Sequence, residues 1–212
     1  MTKENFPFKL YLVLSEKGCA ERHFLTVAEQ AILGGVDIVQ LREKKASTQE
    51  FVEKAFRLQD VLAKTGTPLI INDNLEVAQK VKAYGIHVGN NDIAPSYISA
   101  VWKDCRSIGY SIEFLEQLNT KEAEVSDCLA VSPVFKTSTK KNTITEWGLQ
   151  GVSEIRNLTD KPLIAIGNMN SLNVSNVIKA GADCIAVASA ICLAKDPMKA
   201  AIEIRNQIEK AL

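Results

Sequence analysis

The sequence predicts a single (β/α)8 barrel, an α/β fold in one domain over residues 1–212. Three observations predict it. Eight short apolar runs recur along the chain, and most are apolar throughout rather than alternating. That is the pattern of strands buried on both faces of a parallel sheet. Helical periodicities fill the intervals between them. No Pro/Ser-rich tract and no long charge block divides the chain. The rival is an open doubly wound sheet. Eight strands without a break are many for an open sheet in 212 residues, although that length is compact for a barrel.

The expected strands are Lys9–Leu14, Asp37–Leu41, Pro68–Asn72, Gly85–Gly89, Ser107–Ser111, Cys128–Ser132, Pro162–Gly167 and Cys184–Ser189. After the first, Phe24, Val27, Ala28, Ala31 and Ile32 fall on one helical face. The next helix opens on Ser47 and Glu50, a capping-box pair, and carries Phe51, Ala55, Leu58 and Leu62 on one stripe. After the seventh strand, Val174, Val177 and Ile178 repeat the pattern. The last helix starts at Asp196-Pro197, a side-chain cap followed by proline at the first helical position. Residues 35–39 (GVDIV) resemble residues 181–185 (GADCI). In both, glycine would end a helix as the chain turns into a strand.

The chain is balanced, with 25 basic and 25 acidic residues. Nucleic-acid and membrane-surface proteins usually carry a basic excess, so neither partner is expected. The five cysteines include no C-x-x-C pair, and there are two histidines. A zinc site is not expected, and reduced thiols of a cytoplasmic protein are the simpler account. The N-terminus lacks the apolar run of a signal peptide, and no stretch approaches a transmembrane helix. Whether the chain forms a homo-oligomer is left open by the sequence.

In this fold the active site lies at the C-terminal ends of the strands. After the second strand, Gln40, Arg42 and Lys44 share one face by alternation. The third ends in Asn72-Asp73-Asn74, and the fourth runs into Gly89-Asn90-Asn91-Asp92. Asp73 and Asp92 thus sit on adjacent loops, and two carboxylates without soft ligands suit Mg²⁺. The fifth strand ends at Ser111. The sixth enters residues 129–141, LAVSPVFKTSTKK, where hydroxyls and lysines follow a buried strand. This loop suits either an anion, through charge-assisted hydrogen bonds, or solvent. Gly167-Asn168 after the seventh strand and Ala188-Ser189 after the eighth stand at the recurrent phosphate site of the fold, with residues 190–193 able to form a short helix. His87, Asp37, Asp183, Trp102 and Trp147 are read as structural.

Taken together, these stretches resemble the thiamine phosphate synthase family. The motifs are YLV at Tyr11, QLREK at Gln40–Lys44, IINDN at Ile70–Asn74, HVGNND at His87–Asp92, IGYS at Ile108–Ser111, SPVFKTSTKK at Ser132–Lys141, AIGNM at Ala165–Met169 and AGADCIAVASAI at Ala180–Ile191. The resemblance implies a (β/α)8 transferase. It would couple 4-amino-5-hydroxymethyl-2-methylpyrimidine diphosphate to 4-methyl-5-(2-phosphoethyl)thiazole, or its carboxylated form, with release of pyrophosphate. It implies Gln40 on the pyrimidine, and Arg42, Lys44, Asn72, Ser111, Thr139 and Lys140 on the diphosphate. Of these, Arg42, Lys44, Ser111 and Lys140 would take the catalytic part. It further implies Mg²⁺ on Asp73 and Asp92, Thr137 near the thiazole, and a thiazole-phosphate cup of Gly167, Ala188 and Ser189. Residues 142–147 would be the remainder of a lid.

The sequence departs from the family pattern at Ser132, where glycine is usual, and at Lys136, where proline is usual. It departs again at Asn168 for the second glycine of AIGG, at Asn90 for glutamine, and at Ile112-Glu113 for a His-containing pair. Asn168 is expected to crowd the phosphate cup. The resemblance leaves two other outcomes, a thiazole tautomerase-like isomerase and a non-catalytic paralogue that binds a thiamine precursor. The full cation and carboxylate set argues against the isomerase.

Overall fold

A computed structural model describes residues 6–137 and 145–212. Eight parallel strands close into a barrel in which each pairs with the next in sequence and β8 returns to β1. They are β1 (Leu10–Leu14), β2 (Ile38–Leu41), β3 (Leu69–Asn72), β4 (Gly85–Val88), β5 (Ser107–Ile112), β6 (Cys128–Val131), β7 (Leu163–Ile166) and β8 (Cys184–Val187). Around them run α1 (Phe24–Leu33), α2 (Thr48–Ala63), α3 (Leu75–Lys80), α4 (Pro95–Val101), α5 (Lys121–Val125), α6 (Gly148–Leu158), α7 (Val174–Lys179), α8 (Ser189–Cys192) and α9 (Pro197–Glu209). The barrel, its strands and the helix landmarks agree with the sequence-based expectation.

Alternation divides each strand between two cores. Leu10, Leu12, Leu14, Val39, Leu41, Ile71 and Ile86 face the helices in the larger one. Tyr11, Ile38, Ile70, Cys128, Ala130, Ile164, Cys184 and Ala186 fill the barrel interior. Phe6 and Phe8, edge-to-face at 5.2 Å, belong to this inner cluster. Burying an aromatic ring of that size stabilises by about 2–3 kcal/mol. Nothing in the periodicity of the sequence marked these two residues.

The caps explain where helices begin. Ser47 Oγ accepts from Glu50 N, and Glu50 Oε2 accepts from Ser47 N at 2.8 Å, completing the capping box of α2. Asp196 accepts from Lys199 N at 2.9 Å ahead of Pro197. The internal repeat is also real in space. Gly35 and Gly181 take φ of 97° and 114°, and the aspartate two residues on does the same work in each unit. Asp37 Oδ2 accepts from Lys9 N and Leu10 N and pairs with Arg205 at 2.7 Å. Asp183 Oδ2 accepts from Leu163 N and pairs with Arg156 at 2.8 Å. Asp127 Oδ2 takes Ile108 N likewise. These carboxylates tie strand N-termini at the end of the barrel where this fold keeps its stability residues. Among the described residues, no helix is long and apolar enough to cross a membrane.

Candidate active site

The C-terminal ends of the strands surround one open cavity, with about 1060 Å³ of space free of protein atoms including its mouth. Its wall has two unlike halves.

The half from β2 to β5 is built of polar side chains. Gln40 is buried, and its Nε2 donates to the Tyr11 hydroxyl at 2.8 Å. Burial holds that phenol well above its usual range, with the Gln40 hydrogen bond opposing, so it stays a neutral partner. Arg42 and Lys44 follow on the same side, both lining the cavity. Lys44 Nζ lies 2.9 Å from Asp73 Oδ2. Asn72, the last residue of β3, is buried against the same space. Asp73 adopts φ 62°, a left-handed backbone that few non-glycine residues take. Its N–H donates to His87 O at 2.9 Å, which pins the carboxylate at the rim. Asp92 Oδ2 accepts the Gly89 N–H at 2.8 Å.

Burial raises the Asp73 carboxyl above the usual aspartate range; the Lys44 ammonium opposes this and the Asp92 carboxylate adds to it. Two carboxylates that repel each other beside one ammonium fit a dication. Mg²⁺ in particular is held by one or two carboxylates and keeps several waters. Among the described residues no group of three or more His, Cys, Asp or Glu that could hold a metal ion is found.

Among the described residues the half from β6 to β8 brings no charged side chain to the cavity; it presents apolar groups, the amide residue Asn168 and the hydroxyl residues Ser132, Thr137 and Ser189. Ala130, Ile164, Ile166 and Ala186 form its floor, with Val13 beside them. Ser132 leads into a cis peptide to Pro133, and both line the wall. Gly167 has φ 119°, and a Cβ there would lie 2.7 Å from Pro133 Cβ and 2.9 Å from Val134 N. Only glycine satisfies both the backbone and the contact. Ala188 and Ser189 lie at the start of α8, and both line the cavity. Thr137 also reaches it.

The structure therefore brings Gln40, Arg42, Lys44, Asn72, Asp73, Asp92, Ser111, Thr137, Gly167, Ala188 and Ser189 around one space. Thr139 and Lys140 lie outside the described residues, as do residues 142–144 of the expected lid. Trp147 does not belong to such a lid. Its Nε1 donates to Ile112 O at 3.2 Å and its N–H to Pro133 O at 3.1 Å, so it is anchored to the barrel.

His87 differs from the expectation of packing alone. Its ring lines the cavity, and Nε2 lies 2.9 Å from Ser111 Oγ. The signal was present in GIHVG, where His87 alternates with the helix-facing Ile86 and Val88. Tyr11 was marked only as part of a strand motif, and it too borders the cavity.

Among the departures, Asn168 takes φ 53°, a region Asn tolerates better than most residues. Its carbonyl accepts from Asn173 Nδ2 at 2.9 Å and Asn170 Nδ2 at 3.3 Å. Asn90 Oδ1 accepts from the Tyr110 hydroxyl at 3.2 Å. Ile112 packs with the helices, away from the cavity.

Comparison with known proteins assigns this architecture. Residues 10–191 match the family model described as thiamine monophosphate synthase. The thiamine-phosphate synthase of Albidiferax ferrireducens is 40% identical over 201 residues, covering 95% of this chain and 92% of that protein. That of Leptospira biflexa is 41% identical over 202 residues, covering 93% and 96%. A solved thiamine phosphate pyrophosphorylase from Pyrococcus furiosus superimposes with a TM-score of 0.87 at 29% identity, covering 97% of each chain.

Proposed function

The chain belongs to the thiamine monophosphate synthase family, and we propose how its two-sided cavity carries out that transfer. The substrates are 4-amino-5-hydroxymethyl-2-methylpyrimidine diphosphate and the thiazole phosphate, and the products are thiamine phosphate and pyrophosphate. The observation that supports the division of labour is the split wall. Cations, hydroxyl and carboxylates gather at β2–β5, and a glycine-lined wall with an apolar floor faces them from β6–β8.

On this reading the diphosphate lies along Arg42, Lys44, Asn72 and Ser111; Thr139 and Lys140, outside the described residues, are the further diphosphate contacts that the family resemblance implies. Gln40, held by Tyr11, meets the pyrimidine at the barrel floor. As the C–O bond breaks, charge grows on the leaving diphosphate. Preorganised cations and hydroxyls aimed at that charge lower the barrier more than a base would. Asp73 and Asp92 would hold Mg²⁺, which supplies further neutralisation of the leaving group when bound. Thr137 lies toward the thiazole, and the Gly167, Ala188 and Ser189 wall takes its phosphate. A nucleophile already in place, over a floor of Ala130, Ile164, Ile166 and Ala186, meets the pyrimidine cation before water does. The chemistry is that of a cytoplasmic biosynthetic enzyme.

The test is a coupled assay of purified protein with both substrates. Pyrophosphate and thiamine phosphate should appear in equal amounts, and chelation of Mg²⁺ should suppress both. Isomerisation of the thiazole carboxylate without coupling would overturn the reading in favour of a tautomerase.

A further inference from the structure

His87 and Ser111 stand on neighbouring strands, and the sequence makes room for them to meet. Within the parallel register, His87 of β4 pairs directly with Gly109 of β5. A Cβ at Gly109 would lie 2.5 Å from His87 Nδ1. With no side chain there, the imidazole lies across β5 and reaches the next inward residue on that strand, Ser111, at 2.9 Å through Nε2. Ser111 is 7% exposed, and both side chains border the cavity.

A serine hydroxyl offers one proton and two lone pairs. If Ser111 donates its proton to Nε2, only lone pairs remain toward the cavity, and these repel an anion. If Nε2–H donates to Ser111 Oγ instead, the serine proton is released to point at the cavity. We infer that His87 is a positioning residue that sets the polarity of Ser111, holding its hydroxyl as a donor toward the diphosphate. The inference rests on the reading of β2–β5 as the diphosphate wall. An anion on this wall then selects the form of His87 with a proton on Nε2.

Two measurements test it, with pyrophosphate in the presence of Mg²⁺ as the probe. The first is ¹⁵N NMR of the unmutated protein. With only two histidines, His23 and His87, the His87→Gln variant assigns the signals. Saturation with pyrophosphate should give His87 a pyrrole-like Nε2. A pyridine-like Nε2 in the complex overturns the inference.

The second is a double-mutant cycle on pyrophosphate affinity. His87→Ala should weaken binding about tenfold, the scale of one hydrogen bond to a charged group. In a Ser111→Ala background the same substitution should cost almost nothing, since its effect runs through the hydroxyl. His87→Gln, which keeps an N–H near the Nε2 position, should restore most of the loss, and the shorter His87→Asn should not. Equal losses in both backgrounds overturn the positioning role and leave the diphosphate wall standing. If Ser111→Ala itself leaves pyrophosphate affinity unchanged, the assignment of Ser111 to the wall fails, and this inference with it.

Discussion

On the proposed reading, the two halves of the cavity solve the same problem, holding a phosphate group, by opposite means. The β2–β5 half uses long or charged side chains: Arg42, Lys44, Asp73 and Asp92 at the rim, with Gln40, Asn72 and Ser111 below. Among the described residues the β6–β8 half brings no charged side chain to the cavity, with Gly167 pressed against Pro133 and Ala188 and Ser189 lining it at the start of α8. The difference follows from what each half must do. A departing diphosphate gains charge during the reaction, so its site benefits from full charges and a dication. A phosphate on the nucleophile gains none and needs only to be placed, which main-chain groups do with little motion.

Substitutions can break this division, and the largest effect is expected at the charged half. Arg42→Ala should lower kcat by about 10²–10³-fold, the cost of removing one aimed transition-state contact. Affinity for the thiazole phosphate, read by calorimetry, should stay within about twofold. Gly167→Ala comes next. The positive φ alone costs about 1–3 kcal/mol, and the Pro133 contact adds to it, so thermal unfolding should come several degrees earlier. The KM for thiazole phosphate should rise about tenfold while pyrophosphate affinity holds.

Asp92→Asn sharpens the comparison by separating stability from activity. Like-charge pressure from Asp92 helps push up the Asp73 carboxyl, so relieving it should raise the metal-free melting temperature by about 1–3 °C. The variant should lose the further stabilisation that Mg²⁺ would give the native protein on the proposed reading. A lower melting temperature without metal would mean that the two carboxylates do not strain the fold. The smallest effect belongs to Asn168→Gly. Its backbone is already left-handed and its carbonyl is held by Asn170 and Asn173, so only the side chain changes. A twofold fall in KM for thiazole phosphate is the expected scale if the amide crowds the cup, and an unchanged KM would show that it does not.

The same contrast explains what the sequence revealed. Strands read as continuous apolar runs because both faces are buried, and the inner and outer cores bear this out. Arg42, Lys44, Asp73 and Asp92 stood out because charged groups at the ends of buried strands need a reason. The opposite half carried no such signal, since Gly167, Ala188 and Ser189 are ordinary residues whose value lies in backbone placement. The barrel fold and the family resemblance pointed to them, not their own chemistry. His87 was missed because a lone histidine in an apolar run packs as readily as it binds. Its meaning came from Gly109, its direct partner in the register but 22 positions away in sequence. Phe6 and Phe8 lie outside any periodic element, so their place in the inner core depended on the closed barrel.

The division of the cavity is tested most directly by titrating two ligands, pyrophosphate with Mg²⁺ and the thiazole phosphate, into native protein, Arg42→Ala and Gly167→Ala. A crossed pattern is predicted: Arg42→Ala loses pyrophosphate and keeps thiazole phosphate, and Gly167→Ala does the reverse. Parallel loss of both ligands in both variants would contradict it and mean that the two walls act as one site.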